Sequence, residues 1–175
     1  MIVTVVEYNP TWPDMFEKES QKLLKILGDN LNHIHHIGST SVPGLMAKPV
    51  IDIMLDVSSL DLLDQKNSEI ETLGYEAMGE YGIPGRRYFR KGGDNRTHHI
   101  HAFQAGDPNL MRHLAFRDYL VAHPEVARQY GQLKFDIAKA CENNIDNYWE
   151  QKDPFIKHHE PIAVKWYKAQ KENSL

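Results

Sequence analysis

Asp52 interrupts the apolar run Val50-Ile51-Asp52-Ile53-Met54-Leu55. A charge in a buried strand is costly unless it has a partner or a metal. Strand side chains alternate, so Asp52, Met54 and Asp56 share one face. Four residues of strand separate Asp52 from Asp56 by roughly 13 Å, too far to grip one ion. The partners of Asp52 must therefore come from another strand. Thr97-His98-His99-Ile100-His101-Ala102-Phe103 offers them. In a strand, His99 and His101 share a face, roughly 6–7 Å apart at Cα, and His98 points the other way. Asp52, His99 and His101 together make a two-histidine, one-carboxylate set, able to hold Mg²⁺, Mn²⁺ or Zn²⁺ and activate water. The same residues could instead hydrogen-bond to one another in a polar cleft.

A second chemistry is available at Gly38-Ser39-Thr40-Ser41. Small residues after a strand let backbone N–H groups approach an anion, and hydroxyls add donors. Lys48, at the far end of the loop, could meet phosphate charge. The stretch GSTSVPGLMAK lacks the P-loop arrangement, and a plain connection between strands remains the competing account. Arg117, Lys134 and Lys152 are spread along the later sequence, with Tyr148 four residues before Lys152. They could gather around a phosphate, or snorkel from an apolar stripe to water. Arg86, Arg87, Arg90 and Lys91 interleave with Tyr88 and Phe89, a pattern that could also stack a base. His33, His35 and His36 read as ordinary core and rim positions of a strand.

The elements that must position these groups are legible from punctuation and spacing. Ile2 to Val6 reads as a short strand. Thr11 is an N-cap candidate ahead of a helix carrying Phe16, Leu23, Leu24 and Leu27, which Gly28 stops. Strands follow at 31–37 and 49–57. The pattern at Ser58 to Leu73 predicts one helix, capped by Ser59 or Asp61 and ended by Gly74. Tyr75 to Met78 is a short strand and 79–85 a loop. Gly92-Gly93-Asp94-Asn95 marks a hairpin joining 86–91 to 97–104 as an antiparallel pair. Asp107-Pro108 opens a helix to about Ala122. Pro124 opens another, with Val126, Tyr130, Leu133, Ile137 and Cys141 as its stripe. Residues 143–171 add helix with a break near Pro161, and Lys168 to Leu175 should fray.

With 175 residues, 41% hydrophobic and 25% charged, the chain has an ordinary globular composition and reads as one domain. Residues 1–105 form an α/β core and 106–175 a helical part packed on it. A net charge of −4 argues against a duplex-DNA binder. The single cysteine and the absence of a secretory pattern at MIVTVVEYNP point to the cytoplasm. No run approaches the roughly 20 apolar residues of a membrane span.

Five stretches carry a family resemblance: HIGSTSVPGLMAKPVIDIML (36–55), GRRYFRK (85–91), THHIHAF (97–103), RHLAFRDYLVAHPEVARQYGQLK (112–134) and DNYWEQKDPFI (146–156). Together they resemble the GrpB family over nearly the whole chain. The resemblance implies an α+β class: a nucleotidyltransferase-like mixed sheet flanked by helices, with a helical C-terminal third. Domains of this kind also look fused to dephospho-coenzyme A kinase in some bacteria. Nucleotidyltransferases of that superfamily carry a Gly-Ser loop, two carboxylates at i and i+2 on the next strand, and a third on a later strand. Gly38-Ser39 and Asp52 match, whereas Met54 stands at the second acid position and His99 and His101 in the later strand. That departure puts ordinary Mg²⁺-dependent transfer in doubt. The expected ligand is a nucleotide or another phosphorylated small molecule. Gly38, Ser39, Thr40, Ser41, Lys48, Arg117, Lys134, Tyr148 and Lys152 would bind it, and Asp52, His99 and His101 would serve catalysis or a metal. Nucleotidyl or phosphoryl transfer, metal-dependent phosphoester hydrolysis and non-catalytic binding all stay open.

Overall fold

Alternation in 51–57 fixes the centre of the sheet. In the computed structural model, which describes residues 4–140 and 145–173 apart from the side chains of 145 and 147, Ile51, Ile53, Leu55 and Val57 point to one face and are fully buried. Each such burial contributes roughly 1.5–3 kcal/mol. Asp52, Met54 and Asp56 take the opposite face. This strand, β2 (Ile51–Val57), lies between β1 (Leu31–Ile37), which runs antiparallel to it, and β5 (His98–Gln104), which runs parallel. The antiparallel β4 (Arg86–Lys91) and β3 (Tyr75–Ala77) complete a mixed sheet of order β1-β2-β5-β4-β3. The parallel β2–β5 pair needs a long crossover, and residues 58–97 supply it.

The chain divides into two compact units. One comprises Pro10–Ile37 and Val50–Leu110 and contains the whole sheet. In it, α1 (Trp12–Leu27) packs on β1 and β2, burying Trp12, Leu23 and Leu27. Gly28 ends the helix with φ +54, a conformation glycine accepts and other residues rarely do. Thr11 makes no side-chain cap. The single helix expected over 58–73 is two short ones, α2 (Leu60–Asp64) and α3 (Asn67–Glu71). Lys66 leaves helical geometry between them, at φ −99 and ψ 4, next to the poor helix former Asn67. Ser59 caps α2 as expected, accepting from the Leu62 N–H.

The other unit comprises Met1–Asn9, Gly38–Pro49 and Met111–Leu175. It holds most of α4 (Pro108–Ala122), with α5 (Pro124–Ala140) and α6 (Ile145–Asn173). Val42 and Leu45 are buried with Leu120, Ala127 and Tyr130. Met46 packs against the cluster of Val5, Ile137, Ala138 and Tyr148. Val6 bridges Ala47 by a pair of backbone hydrogen bonds. The loop from Gly38 to Pro49, expected to go with the α/β part, thus belongs with the helices.

Two expectations at the C-terminus are corrected. α6 runs through Pro154 and Pro161 without the predicted break, and the residues expected to fray continue the helix to Asn173. A proline inside a helix costs about 3 kcal/mol. Packing on both sides of Pro161 offsets it: Phe155 stacks on Tyr130, Trp166 meets Tyr119, and Ala163 is fully buried. Of the short strand expected at 2–6, residues 2 and 3 lie outside the described residues, as does the stripe position Cys141, and the rest forms only the isolated Val6–Ala47 bridge. The α+β class, the mixed sheet and the helical last third are as expected. No helix among the described residues is long and apolar enough to cross a membrane.

Candidate functional site

The strand register brings Asp52 opposite His99 and Met54 opposite His101. His101 Nε2 lies 3.1 Å from Asp52 Oδ1, and His99 Nδ1 lies 3.4 Å from the same oxygen. One potential ligand atom from each residue falls within 4.8 Å of the others. Tyr88 on β4 closes the cluster, its ring centroid 5.5 Å from each imidazole. Burial pushes the Asp52 carboxyl up, but hydrogen bonds from His101 and His99 outweigh it. The group is held well below the usual carboxylate range.

Whether this trio suits a metal turns on the far side of His101. Its Nδ1 lies 3.4 Å from Arg86 Nη1. A guanidinium only donates, so Nδ1 must accept and the ring's proton sits on Nε2, where it donates to Asp52. A metal-bound histidine has the reverse arrangement: its other nitrogen donates to a carboxylate, carbonyl or water. The donor set therefore does not fit a metal held through His101. His99 Nε2 is buried without a hydrogen-bond partner, but one imidazole nitrogen is not a metal site. Met54, on the same face of β2 as Asp52, is fully buried. On the same face, Asp56 is engaged by His33 at 3.3 Å. His36 stacks on Phe16, at 4.9 Å between centroids. These two histidines occupy the rim and packing roles expected of them.

In the helical unit, Gly38 adopts φ +71 and ψ −174, a region essentially restricted to glycine. Ser39–Ser41 then forms one 3-10 turn. Thr40 is buried, and the Ser41 hydroxyl donates to the Gly38 carbonyl. Gly38 is exposed, and Ser39 and Ser41 are half-buried. Lys48 and Lys152 both reach the rings of Tyr148 and Trp149. Lys48 Nζ lies 5.2 Å from the Tyr148 ring centroid and 4.7 Å from that of Trp149. Lys152 Nζ lies 5.2 and 3.9 Å from the same two rings. Lys134 is buried with Nζ 4.5 Å from the Tyr130 ring. It follows Gly131 by one helical turn, and Gly131 is where α5 meets the backbone of Met46. Arg117 pairs with Asp118 at 2.8 Å.

Arg86 and Trp149 were not among the candidate site residues. Alternation along β4 puts Arg86, Tyr88 and Arg90 on the face of His99 and His101 once the hairpin register is set. That was the available signal for Arg86. Trp149 is about half exposed beside the buried Tyr148, and its place three residues before Lys152, one helical turn away, was the signal there.

Comparison with known proteins agrees with this architecture. The family model described as GrpB protein matches residues 2–161. The UPF0157 protein YqkA of Bacillus subtilis is 43% identical over 167 residues. That match covers 95% of this chain and 49% of YqkA, so the chain spans about half the length of that relative. The crystal structure of conserved protein GrpB from Enterococcus faecalis superposes with a TM-score of 0.91 at 48% identity, covering 94% of this chain and 99% of that one. Cid1, solved with the UTP analogue UMPNPP, gives a TM-score of 0.48 at 11% identity over 75% of this chain and 40% of Cid1. A likeness that distant carries no weight for activity.

Proposed function

This chain belongs to the GrpB family, and we propose that it binds a nucleotide or another phosphorylated small molecule through the lysine pair of its helical unit. The observation that carries the reading is the convergence of Lys48 and Lys152 on one pair of rings from distant parts of the sequence. Two ammonium groups held at one aromatic pair offer an anion two charged donors. A phosphate dianion that reaches both ammonium groups gains charge-assisted hydrogen bonds. The Gly38-Ser39 turn in the same unit adds backbone and hydroxyl donors.

Binding does not require turnover. Two-metal phosphoryl transfer needs several carboxylate oxygens, and Met54 fills the place of the second acid on β2. Any transfer of a nucleotidyl or phosphoryl group would rest on positioning and on fixed cations. A thermal-shift panel of nucleoside mono-, di- and triphosphates and pyrophosphate tests the reading. The wild type should be stabilised by at least one of them, with a smaller shift in Lys48→Gln/Lys152→Gln. A flat panel, or equal shifts in the double variant, would sink it.

A further inference from the structure

We infer that Arg86 sets the Asp52–His99–His101 cluster as a hydrogen-bonded group and keeps a divalent metal from being held there. Arg86 is 8% exposed and is fixed on several sides. Its Nη2 donates to the Tyr81 carbonyl at 2.8 Å and its Nε to the Glu80 carbonyl at 3.2 Å. Its guanidinium lies 4.8 Å from the Tyr88 ring centroid. Tyr81 is held at φ +48, the one non-glycine residue with positive φ among those described. Such a conformation is costly for a bulky side chain and persists only where its surroundings enforce it. Here the strained residue presents a carbonyl to the arginine, so the 79–85 loop is shaped around the guanidinium.

The consequence follows from proton positions. With Nδ1 of His101 facing a group that only donates, the neutral ring carries its proton on Nε2. Nε2 then donates to Asp52 and has no lone pair for an ion. A metal at Nε2 would need that proton on Nδ1, where it would meet the N–H of Arg86. The fixed positive charge of the guanidinium further disfavours a dication at the trio. Arg86 is a positioning residue: it acts on the cluster through His101. Replacing it with a residue able to accept from Nδ1–H removes the conflict and leaves Asp52, His99 and His101 with their converging atoms. The inference is independent of phosphate binding by the lysines, and either can fail alone.

Two measurements test it. The first titrates Zn²⁺ calorimetrically into wild type, Arg86→Gln, Arg86→Gln/His101→Ala and His101→Ala. The wild type should match His101→Ala, with no site that depends on His101. Arg86→Gln should gain one such site, binding roughly tenfold or more tighter than the wild type, the size expected of a changed ligand partner. Stoichiometric Zn²⁺ binding by the wild type that His101→Ala abolishes would overturn the inference, and so would a folded Arg86→Gln that gains nothing. The second reads the His101 tautomer by nitrogen-15 NMR of the wild type at mildly alkaline pH, and it decides the matter if Arg86→Gln does not fold. The proton belongs on Nε2, and a proton on Nδ1 would refute the assignment.

Discussion

Glu19 shows how much a single residue can hold. It lies on the apolar stripe of α1, three residues after Phe16 and four before Leu23, and is 3% exposed. The Tyr75 hydroxyl donates to it at 2.8 Å and Lys91 Nζ at 3.1 Å. Burial pushes its carboxyl up, yet these two hydrogen bonds and the Lys91 charge bring it below its ordinary value. A carboxylate lowered in the folded state stabilises fully above its unfolded pKa and loses that contribution as pH falls through the folded value. Burial lowers the neighbouring His98, which adds stability above its own unfolded value and loses it in acid, the same direction. Glu19→Gln should therefore cost about 2–3 kcal/mol at neutral pH, with the deficit shrinking in acid. Urea melts across pH check this, and a deficit that does not vary with pH would contradict it. At this scale the trio of Asp52, His99 and His101 was legible as a candidate, because alternation puts both histidines on one face and a buried Asp52 needs a partner. The role of Arg86 was not, because it depends on a loop whose backbone strain no spacing reveals.

Among the elements, the Gly38–Pro49 segment changed most between sequence and structure. Flanked by strands, it reads locally as a connection. Its apolar residues Val42, Leu45 and Met46 in fact pack with α4, α5 and α6, a long-range choice no local pattern encodes. α5 reaches it at Gly131, where an added Cβ would lie 3.1 Å from Leu45 Cδ1 and 3.5 Å from the Met46 nitrogen. Gly131→Val should push the segment from the helix, costing roughly 1–3 kcal/mol. It should also weaken any phosphate bound by Lys48, so thermal melts with and without pyrophosphate check both effects. A variant of unchanged stability would show that this packing does not hold the segment. The uninterrupted α6 has a similar cause. Pro161 signals a break, and tertiary packing around Phe155, Ala163 and Trp166 overrides it.

For the whole molecule, the order of strand and helix patterns and the family resemblance announced an α+β chain, while the interleaving of its two units was hidden because three separate segments build the helical one. We propose that the two units unfold as one domain. Trp12 reports on the sheet unit and Trp166 on the helical one. Variants retaining a single tryptophan at either position should melt at one common midpoint, and separated midpoints would show two independent domains. The central claim is that the lysine pair holds phosphate, and an equilibrium titration tests it most directly. Pyrophosphate and the nucleotide giving the largest thermal shift are titrated into wild type and Lys48→Gln/Lys152→Gln. One saturable site is expected in the wild type. A loss of about 1.5 kcal/mol per charge-assisted contact corresponds to roughly tenfold for each lysine removed. Equal affinity in the double variant, or no saturable binding of either ligand to the wild type, would contradict the account.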